Sequence, residues 1–299
     1  SGPEGVEKSS GEQGWRGRLG GHPKIGVYSR EQPLVSIAAR LEPDWSSRNW
    51  EQEAREASAA LRAYPQIYNS RVTYYLFYAT RYLLTSEGTE IRTSRSLAAI
   101  EAGLNTLAND GMPLHHFYAA YAARPVDLPN VGSVRAGLNV AGAELMAMRS
   151  APPAQDYTGP VLFEARAAAP LLAQILGPAV NGAQPPVSFS PVVEQLLSGL
   201  GGKSDWAGRI GTRVLPSSVT LVDDPTAREF RGQPLVGGYP VDEEGVHSQK
   251  VTLVEDGILR GLLMSRRPGP DFSGSNGHGR AAFLNDPRPT MSNLLFTPS

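Results

Sequence analysis

Apolar and polar positions alternate most clearly toward the C-terminal end. Lys250–Val254 and Ile258–Leu262 are short runs rich in Val, Leu and Ile on either side of Glu255-Asp256-Gly257. Period-two alternation sends successive side chains to opposite faces of a strand, so Val251, Leu253 and, across the turn, Ile258 alternate with Thr252 and Arg260. Asp-Gly between two such runs is a strong hairpin signal, because a type I′ turn needs positive φ at its central residues. The pattern predicts a tight hairpin here, with Gly261 letting the second strand bend or approach another backbone.

Elsewhere the period changes. Pro33–Arg40 reads as a short strand. Trp50, Ala54, Ala57, Leu61 and Tyr64 recur at three- and four-residue steps, which predicts a helix over Trp45–Tyr64 with one buried face. Ser46 or Ser47 would cap it, Glu51 and Glu53 suit its positive end, and Pro65 follows its stop. Aromatic and β-branched residues then predict strands at Val72–Ala79, Tyr82–Thr85 and Thr89–Thr93, with Ser86-Glu87-Gly88 as a turn. Leu97–Ala108 fits either a strand or a short helix. Gly111–Phe117 reads as a loop and Ser133–Met148 as a helix.

After Ala151–Thr158, a Pro-containing linker, Val161-Leu162-Phe163 is strand-like. Glu164 there opens an Ala-rich segment that runs to Gly177-Pro178, in which Pro170 permits only a start or a kink. Phe189–Leu200 predicts another helix, and Arg209–Leu215 and Val219–Asp223 predict strands. A Gly/Ser/Asn loop at Ser273–Arg280 and a Pro-rich end at Asp286–Ser299 follow the hairpin. The fold class is α+β, rich in antiparallel sheet. The expected division is a linker-like segment 1–32, an α+β middle domain 33–150 and a β-rich domain 151–299.

Composition narrows the partners. The chain has 299 residues, 40% hydrophobic and 19% charged, with a net charge of −1. Its size supports a large core, and its neutrality argues against nucleic acid or an anionic membrane as main partner. No apolar run reaches the roughly 18 residues that span a bilayer. Ser1-Gly2-Pro3 suggests the start of a fragment, with no secretory leader behind it. Cysteine is absent, which removes disulfides, thiol nucleophiles and thiolate metal ligands. The histidines are His22, His115, His116, His247 and His278. No two of them have the helical separation that places a metal between them.

Other chemistry is thin. The tyrosines Tyr74, Tyr75, Tyr78 and Tyr82 could form a stacking platform, but half-buried sheet faces account for them. The glycines of Ser273–Arg280 invite a phosphate cradle, yet no P-loop pattern accompanies them. Asp223-Asp224 and Asp242-Glu243-Glu244 are carboxylate clusters, which in loops are expected to be solvated or to cap turns. No nucleophile elbow is present.

The order of segments is more telling. Trp206–Val214, Thr220–Pro225, the stretch Asp242–Leu263, the Asn276-Gly277 loop and Pro289–Asn293 together resemble the TldD/PmbA family. Tyr82–Arg92 and Asp110–Leu114 are similar to that family's middle region, so the likeness spans about Val35–Pro298. The resemblance implies a cytoplasmic protein related to zinc peptidases that cut extended or unfolded peptides. Active members carry an HExxxH helix after a short apolar strand, with two histidine ligands, a glutamate general base and a cysteine near the C terminus. A zinc-bound water loses its proton near neutral pH, and the glutamate accepts it during attack on the peptide carbonyl.

In this chain the matching stretch is Leu162–Ala168. Glu164 falls at the general-base position, while Phe163 and Ala168 stand where the histidines belong. The cysteine-bearing segment is expected beyond Ser299 and the family's N-terminal α/β portion before the start. The resemblance therefore implies a PmbA/TldE-like, metal-free subunit, in a homo- or hetero-oligomer with a TldD-type partner, handling a peptide or unfolded protein. The alternatives are an active peptidase with other ligands, such as His247 or His278 with acidic neighbours, and a stand-alone peptide-binding scaffold. An extended peptide is expected to add to a strand edge, for which the 250–262 hairpin is the candidate.

Overall fold

The computed structural model describes residues 29–42, 44, 46–183, 192–193, 204–267, 269, 272–281 and 286–298. The chain divides into two units. One comprises 33–162 with 227–237, and the other comprises 1–32, 163–226 and 238–299.

In the first unit, β1 (Val35–Ile37), β2 (Asn69–Leu84), β3 (Glu90–Leu107) and β4 (Pro113–Ala122) form one sheet. β3 is its spine. It pairs antiparallel with β2 along one side, and with β4 and, in parallel, β1 along the other. β2 is a single strand where two were expected, and Leu97–Ala108 is strand almost throughout. Its small residues Ala98 and Ala102 weaken the strand signal, but they seat the sheet against helices that the local pattern cannot register. His115, His116 and Phe117, expected in a loop, lie in β4, because pairing with β3 continues to Pro113.

Helices α1 (Trp50–Ala60) and α2 (Val131–Ser150) cover one face of this sheet. Asn49 caps α1 through its side chain, which accepts from Gln52 N at 3.2 Å, so neither Ser46 nor Ser47 does so. Asn130 caps α2 likewise, accepting from Ser133 N at 2.9 Å. Ala57, Ile100, Leu104, Val134, Leu138 and Leu145 form the buried centre, and Trp50 meets Tyr74 edge-on at 6.0 Å. Two short strands, β6 (Glu229–Phe230) and β7 (Gln233–Pro234), pair with each other in the same unit.

The second unit contains helix α3 (Ala165–Val180) and a four-stranded sheet in the order β12 (Leu294–Pro298), β5 (Val219–Asp223), β8 (Val251–Glu255), β9 (Ile258–Leu259). The hairpin forms as predicted: Glu255 pairs with Ile258, and Asp256 and Gly257 have φ of 48° and 78°. Only Gly tolerates the crowding at the second turn position, since a Cβ there would lie 2.3 Å from the Leu215 carbonyl oxygen.

Arg209–Leu215 is not a strand. Gly208 and Gly211 have positive φ, and the segment wraps the hairpin turn with a single bridge from Arg213 to Ile258. It also hydrogen-bonds Leu259, through Gly211 N and the Thr212 carbonyl. The edge of β9 is thereby covered, which removes the hairpin as an open site for an added peptide strand. Val161-Leu162-Phe163 belongs to no strand. The predicted helix Phe189–Leu200 lies outside the described residues apart from Val192 and Val193. β10 (Gly279–Arg280) and β11 (Arg288–Pro289) complete the unit as an antiparallel pair. Leu176, Val180, Leu221, Leu253, Leu259 and Leu263 are its fully or almost fully buried core. Among the described residues no helix is long and apolar enough to cross a membrane.

Candidate functional site

Glu164 occupies the N-cap position of α3, with extended backbone at φ −75° and ψ 165°. Its carbonyl accepts from Ala167 N at 2.9 Å and Ala168 N at 2.8 Å, but its carboxylate makes no capping bond. The side chain is exposed. Leu162 is 91% and Phe163 50% exposed, so the apolar run before the helix does not enter a core. The other end of α3 is anchored. Leu263 N donates to Val180 O at 2.8 Å, Gly182 N to Leu263 O at 2.8 Å, and the Ser204 hydroxyl to Ala179 O. Pro170 and Pro178 both lie inside the helix.

The sequence pattern did not anticipate the polar chemistry buried in this unit. Asp223 ends β5 and is 0% exposed, as is His278. The Asp223 carboxylate faces His278 Nε2 at 3.0 Å and accepts from Ser292 N at 3.0 Å and from the Ser292 hydroxyl. His278 Nδ1 lies 3.0 Å from both the Asn276 carbonyl and Asn276 Oδ1. Asn276 is oriented by its own bonds, with Nδ2 donating to Leu262 O and Oδ1 accepting from Met264 N, each at 2.8 Å. Both atoms facing Nδ1 are therefore acceptors, so Nδ1 carries a proton. Nε2 faces a carboxylate that already collects two other donors. The pair is sealed from water, with both ring nitrogens of His278 engaged.

A second cluster adjoins it. Asp242 is 1% exposed and accepts from Glu244 N, Val246 N and Gly279 N, each at 2.9 Å. Burial raises its pKa, while those three backbone donors pull it down. Glu244 Oε2 accepts from Arg266 N at 2.6 Å. Burial is the main cause that pushes Glu244 up to about 7, with Asp242 adding to it and the Arg266 N–H, Arg266 and Arg267 opposing it. Arg280 pairs with Glu243 and stacks 3.8 Å above the Tyr239 ring. The Tyr239 hydroxyl donates to Gly277 O at 3.0 Å.

The loop carboxylates expected at the surface are thus partly internal. Asp223 is buried against His278 and Ser292, both distant in sequence, while Asp242 gathers two donors from its own turn and one from Gly279. The glycines of Ser273–Arg280 serve the same packing rather than an anion. A Cβ on Gly277 would lie 2.1 Å from His247 O, and one on Gly279 would lie 2.3 Å from Glu244 Oε2. A phosphate at Gly279 would meet two carboxylates.

His115 and His116 point to opposite faces of β4 and bond to Asn105 at 3.1 Å and Glu144 at 2.7 Å. His247 is exposed, and His278 has both ring nitrogens engaged inside the protein. Among the described residues no three His, Asp or Glu side chains come together as a metal site. Phe163 and Ala168, at the positions where the resemblance implies histidine ligands, offer a phenyl ring and a methyl group and no donor atom, so the zinc it implies does not fit them.

The profile of the PmbA/TldA metallopeptidase C-terminal domain matches residues 156–299. Residues 156–299 belong to the TldD/PmbA family. Within that family, a metalloprotease of Archaeoglobus fulgidus is 32% identical over 139 residues, covering 41% of this chain and 31% of that protein. A metalloprotease TldD homolog of Haemophilus influenzae is 36% identical over 92 residues, covering 29% of this chain and 18% of its own length. Among solved structures, TldE of Thermococcus kodakarensis superposes with a TM-score of 0.60 at 16% identity, covering 92% of this chain and 58% of that one. A modulator of a DNA gyrase from Thermotoga maritima gives 0.61 at 18% identity, covering 92% and 56%. These likenesses carry the α+β TldD/PmbA fold across both units. The chain spans just over half the length of the solved relatives, and its matches to the curated metalloproteases span about a third of their length or less.

Proposed function

We propose that this chain is a metal-free, non-catalytic TldD/PmbA member that pairs with an active TldD-type zinc peptidase and helps it hold a peptide or unfolded-protein substrate in the cytoplasm. The observation that carries this reading is the donor-free pair Phe163 and Ala168 on either side of Glu164. Zinc needs three protein ligands in a catalytic site, and neither side chain can supply one. Without a metal-bound water, Glu164 has nothing to deprotonate, and its exposure and lack of a capping bond suit a solvated carboxylate.

Likeness to TldE supports the pairing, since a subunit without ligands contributes by shape and scaffold. The division that goes with this reading is a connector at 1–32, a middle domain at 33–150 and the family's C-terminal-type domain at 151–299. The test is metal content measured beside peptidase activity, for the purified chain alone and mixed with a TldD-type subunit. The expected result is no zinc in this chain, no hydrolysis by it alone, and hydrolysis or complex formation with the partner. Stoichiometric zinc together with hydrolysis by this chain alone would refute the proposal.

A further inference from the structure

A short segment of the second unit is fastened to one arginine. Ser29 N donates to Arg266 O at 2.8 Å, and the Arg266 side chain returns two bonds to the Ser29 carbonyl, from Nε at 3.0 Å and from Nη2 at 2.6 Å. The Ser29 hydroxyl donates to Glu31 Oε1 at 2.7 Å and ties in the residues that follow. Residues 29–31 thus form a strap just before Pro33, where the first unit begins.

Arg266 also holds a buried carboxylate. Its backbone N–H donates to Glu244 Oε2 at 2.6 Å. One residue therefore joins the two, grasping the strap through its carbonyl and guanidinium and the carboxylate through its amide.

The charged groups around Glu244 come from its own turn, the loop after β9, the segment of Gly279 and the strap. In its own turn Asp242 is the close one: a Cβ on Gly279 would lie 2.3 Å from Glu244 Oε2 and 3.1 Å from Asp242 Oδ2, so the two carboxylates crowd one point. The loop after β9 supplies Arg266 and Arg267. On the segment of Gly279, His278 faces Asp223 and Arg280 pairs with Glu243. The strap adds Arg30 and Glu31. Burial, with Asp242 adding to it, outweighs the Arg266 N–H and the two arginines and keeps a proton on Glu244 to about pH 7.

We propose that residues 29–31 form a proton-controlled latch, docked on Arg266 while Glu244 is protonated and released as Glu244 ionises. Release frees Arg266 and lets water reach Glu244, which then ionises near its ordinary value of 4.5. Between that value and about 7 the docked form binds more protons than the open one. Docking is therefore strongest below this window and is lost as pH rises through it. The latch sets whether the chain just before Pro33 is held or free. The inference rests on this cluster alone and stands apart from the pairing proposed above.

The test is hydrogen exchange of the full chain between pH 5 and pH 7, corrected for the intrinsic pH dependence of amide exchange. Opening of the latch, read at the Ser29 and Arg266 amides, should increase roughly 30-fold over that range if water reaches Glu244 fully. Both amides should exchange faster than those of β8 at every pH, as a local opening requires. Glu244→Gln keeps an acceptor for the Arg266 N–H and should abolish the pH dependence at both amides. Ser29→Pro removes one latch bond without changing charge. Followed by carbon NMR of the Glu244 carboxyl, it should lower the titration midpoint from about 7 toward the ordinary glutamate value. A change below about threefold in the parent chain, exchange of both amides only together with β8, or an unmoved midpoint in Ser29→Pro would each overturn the proposal.

Discussion

Removing the Asp223 carboxylate is the sharpest perturbation of the C-terminal unit. Asp223→Ala leaves three donors without an acceptor: His278 Nε2–H, Ser292 N–H and the Ser292 hydroxyl. Both Asp223 and His278 are 0% exposed, so water cannot take over the bond between them. Stranding buried donors costs about 1–3 kcal/mol each. The three losses overlap, so a total near ~4 kcal/mol is the expectation. Trp206, buried in the same core, reports the unit once Trp15, Trp45 and Trp50 are replaced by Phe. With a urea slope of about 2 kcal/mol/M, the midpoint should fall by about 2 M. His278→Ala added to Asp223→Ala should cost far less than the sum of the single changes, because the stranded donor goes with the ring. A midpoint shift below about 0.5 M, or strictly additive costs, would refute a direct bond between Asp223 and His278.

Gly277→Ala forces φ of 74° on a residue with a Cβ and drives that Cβ to 2.1 Å from His247 O, so we expect a loss of more than 2 kcal/mol in the same urea assay, above the ~1 kcal/mol that a left-handed residue costs alone. Glu244 holds its proton in the folded state to about pH 7, whereas the unfolded chain releases it near the usual glutamate value. Between those values the folded state binds more protons, so stability should fall as pH rises from about 4.5 to about 7, and Glu244→Gln should flatten that slope in unfolding measured across the range. Phe163→His with Ala168→His returns two imidazoles beside Glu164, and competition against a zinc chelator should detect metal binding in the variant and none in the parent chain. Thr252→Pro removes a ladder donor from β8, an interior strand between β5 and β9, and circular dichroism should show loss of the C-terminal unit's fold.

Local chemistry made several elements legible. Asp256-Gly257 between apolar runs determines the hairpin, because turn handedness and φ preference belong to two adjacent residues. The helical steps of Trp50, Ala54, Ala57 and Leu61 locate α1, although its cap proved to be Asn49, since the helix starts later than the apolar pattern suggests. That Phe163 and Ala168 carry no donor atom is also visible from the chain alone, because side-chain chemistry needs no fold to establish it.

Pairing between distant segments decided the rest. Leu97–Leu107 became strand because β2 and β4 flank it, and Arg209–Leu215 lost its strand because it wraps a turn more than forty residues further along. Asp223, His278 and Ser292 form one buried site although Asp223 is 55 residues from His278 and 69 from Ser292. Singly, each looks like a loop polar residue, and only the fold closes water out around them. The edge of β2 shows the same division. Its alternation of aromatic and basic residues is written in the chain, but only the fold decides which edge β3 pairs with from Asn69 to Leu84.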